Sequence, residues 1–128
     1  MKILDTTFLI DFLRGDKRTL KIAKGNGHLL TTQINMYEVI RGIFLGDNSA
    51  SDLLKATEMF ENIRVLQFDD NAIIKAAEIF ADLTKKGRMI ADNDCIIAGI
   101  ALSNNINNII TQNTEHFKRI KDIKVETY

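Results

Sequence analysis

Proline is absent from this chain, cysteine occurs once, histidine occurs twice, and 17 basic residues offset 17 acidic ones over 128 positions. The single cysteine, Cys95, leaves no partner for an internal disulfide and fits a reducing cytoplasm. Two histidines and one thiol are too few for an ordinary structural zinc site. No apolar run approaches the roughly 18 residues that a membrane-spanning helix needs. Asp5 and Asp11 interrupt any apolar segment near the start, so a signal peptide is not expected either. Zero net charge argues against a polyanion-binding surface spread over the whole molecule. We attach no functional meaning to the lack of proline.

What is present is the composition of a globular protein, with a length that suits one domain spanning residues 1–128 and burying an ordinary core. The charges are grouped. Arg14, Lys17, Arg18, Lys21 and Lys24 stand together against only Asp16. Lys85, Lys86 and Arg88 form a second group, and Lys118, Arg119, Lys121 and Lys124 a third. Each reads most simply as a solvated helix face. Three such groups alongside buried acids also suit a nucleic-acid surface steered by local charge.

Short apolar runs alternate with longer segments of helical period. Strands are expected at Lys2–Leu4, Leu29–Thr31, Arg64–Gln67, Ile109–Thr111 and Lys124–Glu126. Helical spacing is carried by Met36, Val39, Ile40, Ile43 and Phe44, by Ile73, Ala76, Ala77, Phe80 and Leu83, and by the Cys95–Leu102 segment. Gly25 and Gly27, Gly46 to Ser49, and Gly87 mark helix ends, and Asp69 or Asp70 is placed to cap the helix starting near Asn71. Strands alternating with helices predict parallel pairing, right-handed crossovers and a three-layer α/β/α sandwich on a five-stranded parallel sheet.

In that architecture Asp5, directly after the first strand, lies at the carboxyl edge of the sheet, where open α/β proteins bind ligands and metals. Glu38, Asp92 and Asp94 lie where the same fold can bring them to that edge. Taken singly, each has an ordinary explanation. Glu38 can pair with Arg41 for a few tenths of a kcal/mol. Asp92, or Asn93, is the natural cap of the Cys95–Leu102 helix, worth about 0.3–1 kcal/mol as a dipole partner. Together they point to function, because crowded carboxylates stay ionised only beside a compensating cation. Oxygen donors without histidine or thiolate select Mg²⁺ or Mn²⁺, ions that activate water and neutralise the leaving oxygen in phosphodiester cleavage.

Four motifs in order resemble the PIN-domain family, and within it the VapC-type toxins of toxin–antitoxin pairs. They are Ile3–Ile10, Tyr37–Gly42, Asp94–Ala101 and Ile110–Phe117, and they span essentially the whole chain. The resemblance implies a metal-dependent endoribonuclease that prefers single strands. It places the metal carboxylates and catalytic residues at Asp5, Glu38 and Asp94. Thr6 and Thr7 would orient Asp5 or contact phosphate, and Asp92 would be an auxiliary ligand or a helix cap. Arg14 would face the RNA, and Lys17, Lys118 and Arg119 would hold its backbone. The resemblance also implies a homodimer and a cognate antitoxin whose peptide enters the groove.

The chain departs from the family pattern at Asn113, where an aspartate is common, and at His116, where an acid is frequent. Asn113 would coordinate through its carbonyl or hold a water, Glu115 would substitute if its loop allowed, and Thr111 would support the corner by a hydroxyl hydrogen bond. The departure bears on a second metal ion more than on the reaction. Cys95 is expected to be a buried small hydrophobe and not a nucleophile. His28, His116 and Tyr37 are expected at the surface or in packing. A receiver-type signalling domain requires acids in other elements, and a haloacid-type phosphatase requires a second aspartate where Thr7 stands. The alternative that stands is a catalytically weakened PIN-like RNA-binding or interaction domain.

Overall fold

The computed structural model describes residues 1–25 and 28–128. Among these, the elements in chain order are β1 (Lys2–Leu4), α1 (Thr6–Leu13), α2 (Lys17–Gly25), β2 (Leu29–Thr32), α3 (Gln33–Phe44) and α4 (Ser49–Glu61). They continue with β3 (Arg64–Leu66), α5 (Asp70–Lys85), α6 (Asp92–Ser103), β4 (Asn108–Ile110), α7 (Thr114–Phe117) and β5 (Lys124–Glu126). Every strand pairing is parallel, in the order β3-β2-β1-β4-β5.

Side chains alternate across a strand, and here the alternation divides the core in two. Ile3, Leu30, Leu66 and Ile109 pack with Ala72, Ile79 and Leu83 of α5 and with Ile97, Ile100 and Ala101 of α6. Leu4 and Ile110, one residue further along their strands, pack with Phe8 and Leu9 of α1, Val39 of α3 and Met59 and Phe60 of α4. Helices therefore cover both faces of the sheet, giving the expected three-layer α/β/α sandwich. That is why the strands read as unbroken apolar runs.

The expected boundaries hold to within a residue at most strand ends, and Asp69 does cap α5, accepting from Ala72 N at 3.0 Å. Gly87, at φ +68, follows the end of α5 in the left-handed conformation that glycine adopts freely. Gly25 is the last residue of α2, and Gly27, the other expected stop, lies outside the described residues. One expectation is corrected. Helix α6 begins at Asp92 and not at Cys95, its N-cap is Ala91, and no side chain caps it. The carbonyl of Ala91 already accepts from the backbone of Asp94 (3.1 Å) and Cys95 (3.3 Å), so Asp92 and Asn93 lie inside the first turn. Helix α6 crosses α5 at Gly99, where an added Cβ would stand 2.7 Å from Ala76 N. No helix among the described residues is long and apolar enough to cross a membrane.

The strand order decides where a ligand can sit. From β1 the chain builds outward to β2 and β3, then returns to place β4 on the other side of β1. The crevice between the carboxyl ends of β1 and β4 is the topological switch point, where such sheets bind ligands. Asp5 N donates to Ile110 O at 3.0 Å across that junction.

Candidate active site

Asp5 leaves β1 in an extended conformation (φ −76, ψ 168) at the N-cap position of α1, yet its side chain caps nothing. It turns inward, 4% exposed, and both of its oxygens are taken. Asn35 Nδ2 donates to Oδ1 at 2.8 Å, and Thr111 Oγ1 donates to Oδ2 at 2.5 Å. Thr111 is itself buried and accepts from Asn113 N at 2.9 Å. Thr7 Oγ1 lies 3.3 Å from Thr111 Oγ1 and accepts from Gln112 N at 3.0 Å, tying the start of α1 to the loop after β4.

Glu38 reaches the same corner from α3. Thr6 Oγ1 donates to its Oε1 at 2.8 Å, while Asn93 Nδ2 (3.5 Å) and Arg41 Nη2 (3.8 Å) approach Oε2. Asp94 arrives from the first turn of α6, 8% exposed, with His116 Nδ1 at 2.7 Å from its Oδ2. Three elements distant in sequence thus deliver three carboxylates to the switch point.

Their mutual influence shows in their acidities. Burial pushes the Asp5 carboxyl up to about 6; the Thr111 hydroxyl and the Thr6 backbone N–H oppose this, and the charges of Asp94 and Glu38 add to it. Asp94 is also raised, first by burial and further by Glu38, while His116 and a hydrogen bond from Asn113 draw it back. No lysine or arginine ion pair reaches Asp5 among the described residues.

The other expected residues divide. Asn113 meets Asp94, and Thr6, Thr7 and Thr111 all join the network. Asp92 is exposed in the first turn of α6 and makes no hydrogen bond to the network among the described residues. Glu115 is not brought in: its side chain is 79% exposed and pairs with Arg119 at 3.7 Å. Arg119 also donates to Met89 O at 3.0 Å. Arg14, Lys17 and Lys118 are exposed. Arg14 lines a groove of about 320 Å³ with Val39, Gly42, Ile43, Asp52 and Lys55, and the space above Gly42 is open. Cys95 is buried, and burial pushes its thiol up to about 11, which suits the packing role expected of it.

Asn35 and His116, outside the expected set, also belong to this corner. Asn35 was not distinguishable from an ordinary helix residue, and its only signal was its place one turn before Glu38. His116, expected at the surface, holds Asp94. Among the described residues, no three His, Cys, Asp or Glu side chains form a ready ligand cluster. Each carboxylate is held by its own protein partners: Asp5 by Asn35 and Thr111, Glu38 by Thr6, and Asp94 by His116. The donor set is nevertheless all oxygen and under-compensated, which suits a hard divalent cation.

Residues 2–123 match the PIN domain. The chain belongs to the PIN-domain family. It is 32% identical to ribonuclease VapC1 of Methanocaldococcus jannaschii over 98% of this chain and 85% of that one. It is 25% identical to the tRNA(fMet)-specific endonuclease VapC of Shigella flexneri over 98% and 96% respectively. Among solved structures, VapBC from Salmonella typhimurium bound to DNA superposes with a TM-score of 0.88 at 25% identity, covering 98% of this chain and 96% of that one. VapBC2 of Rickettsia felis, bound to a promoter DNA fragment, shares the fold with a TM-score of 0.89 at 21% identity, covering 99% and 98%.

Proposed function

We propose that this PIN-domain protein is a metal-dependent endoribonuclease, the toxin of a VapBC-type toxin–antitoxin pair, acting in the cytoplasm. One observation carries the chemistry: Asp5, 4% exposed, sits in the fields of Asp94 and Glu38 with its carboxyl pKa already pushed up by burial. Asp5, Glu38 and Asp94 would hold Mg²⁺ or Mn²⁺. When bound, the ion supplies charge compensation and Lewis-acid activation for hydrolysis of the RNA phosphodiester.

The chain's own residues do the positioning. Thr111 and Asn35 fix the Asp5 oxygens, Thr6 fixes Glu38, and His116 fixes Asp94. Arg14, Lys17 and Lys118 are exposed and would meet the RNA backbone, which gives salt-dependent affinity with little sequence choice. Arg119 is drawn partly away by Glu115 and Met89. Relatives solved as VapBC complexes support a protein antitoxin as partner. A homodimer is proposed from the resemblance to VapC-type toxins alone.

The test is cleavage of an RNA pool by purified, antitoxin-free protein with Mn²⁺ or with chelator. Wild type should cut only with the ion, and Asp94→Asn should not cut. Equal cleavage by that variant would remove Asp94 from the catalytic set. The alternative, a PIN-like domain that binds RNA but cuts it weakly, draws on Asn113 standing in place of an acid beside Asp94. It predicts retained RNA affinity without metal-stimulated cleavage by wild type.

A further inference from the structure

Asn35 is completely buried, three residues before Glu38 on α3. Its side-chain oxygen accepts from Thr32 Oγ1 at 2.7 Å, and its amide nitrogen donates to Asp5 Oδ1 at 2.8 Å and to Thr6 Oγ1 at 3.1 Å. Chemistry dictates the orientation of this amide. Turned over, it would press its oxygen against the Asp5 carboxylate, acceptor against acceptor. Thr32 reinforces the choice: its Oγ1 accepts from Asn35 N at 3.3 Å, so its own proton goes to Asn35 Oδ1. Thr6, having accepted from Asn35, gives its proton to Glu38 Oε1. The donors run in one direction, from Thr32 through Asn35 and Thr6 to Glu38, with a branch to Asp5.

We propose that Asn35 is a positioning residue that couples Asp5 to Glu38, holding one oxygen of each so that a divalent cation meets an already ordered pair. The inference rests on the proposed metal site at Asp5, Glu38 and Asp94. Asp5 comes from the end of β1 and Glu38 from α3, and the Asn35 amide orders both carboxylates, directly and through Thr6. Without it, the Asp5 oxygen loses a donor, Thr6 is free to turn its proton elsewhere, and metal binding must order both side chains itself. Removing such an outer partner typically costs about 10–100-fold in metal affinity.

The experiment is Mn²⁺ titration calorimetry on metal-free protein without RNA, comparing wild type, Asn35→Ala, Thr6→Val and the double variant. Asn35→Ala should weaken Mn²⁺ binding about 10–100-fold, and the double variant should lose less than the two single losses combined, because Asn35 acts partly through Thr6. If Asn35→Ala does not fold, the near-isosteric Thr32→Val replaces it. Thr32 hydrogen-bonds neither carboxylate, so a purely structural role predicts unchanged Mn²⁺ affinity, whereas loss of the amide's orientation predicts weaker binding. Affinity within two-fold of wild type in whichever variant folds overturns the proposal.

A second readout separates this from failure of the nuclease reading. In metal-free protein the Asn35 side-chain amide resonances should move on Asp5→Asn, on Thr6→Val and, through Thr6, on Glu38→Gln. If wild type binds no Mn²⁺, the metal reading falls and these shifts alone judge the coupling. Resonances unmoved by Thr6→Val and Glu38→Gln would overturn it.

Discussion

Replacing Asp5 with asparagine should stabilise the metal-free protein while destroying its proposed activity. Burial and two neighbouring carboxylates raise the Asp5 carboxyl from 3.8 to about 6. At 1.36 kcal/mol per unit, a shift of about two units corresponds to on the order of 3 kcal/mol of stability. The sign follows from the direction. A carboxyl whose folded pKa is raised binds protons more tightly in the folded state, so its favourable contribution is complete below about 3.8 and is lost as the pH rises through about 6. At neutral pH the ionised Asp5 is therefore a burden that the fold carries. Asparagine removes the charge but keeps the shape. Its oxygen accepts from Asn35, and its amide donates to Thr111 Oγ1, whose proton turns to Thr7, 3.3 Å away. Urea unfolding with chelator present should show Asp5→Asn more stable than wild type by about 2–3 kcal/mol at pH 7.5, with the gap closing towards pH 4. Saturating Mn²⁺ should raise the stability of wild type and leave the variant unmoved, because only a folded state that binds the ion is stabilised by it. A variant less stable than wild type at pH 7.5, or a gap that does not vary with pH, would refute the reasoning.

Three further outcomes are expected. Gly99→Ala forces a methyl to 2.7 Å from a backbone nitrogen of α5 that cannot step aside, and should cost about 1–3 kcal/mol in thermal or urea unfolding. Asn113→Asp adds a carboxylate beside Asp94 and should tighten Mn²⁺ binding by calorimetry; unchanged or weaker affinity would remove position 113 from the site. Asp69→Ala deletes the carboxylate cap on Ala72 N and should lower stability by about 1 kcal/mol with no effect on metal affinity.

Particular residues show how far the sequence was readable. Ile3 and Leu4 announce a strand buried on both faces, and the structure sends them to opposite cores. Asp69 announces a cap and is one. Glu38 illustrates the limit. The i, i+3 pair with Arg41 exists at 3.8 Å, yet the same carboxylate also accepts from Thr6, 32 positions earlier. At the fourth corner an acid was sought, and Glu115 was the adjacent one. In the single turn of α7 neighbouring side chains point about 100° apart, so Glu115 faces solvent while His116 reaches Asp94. Asn35 was invisible because a buried amide and an exposed one are spelled alike.

Local pattern was enough to determine the strands, most of the helices and the layered parallel architecture, because backbone sterics and the burial of apolar periods act over a few residues. Only tertiary structure decided which polar groups meet. Asp5 and Thr111 touch because β4 returns to lie beside β1, and Asp94 joins them because α6 packs across that junction with its first turn at the sheet's edge. A carboxylate acquires its acidity, its donors and its use from neighbours that the chain supplies from a hundred residues away, and no short-range rule contains them.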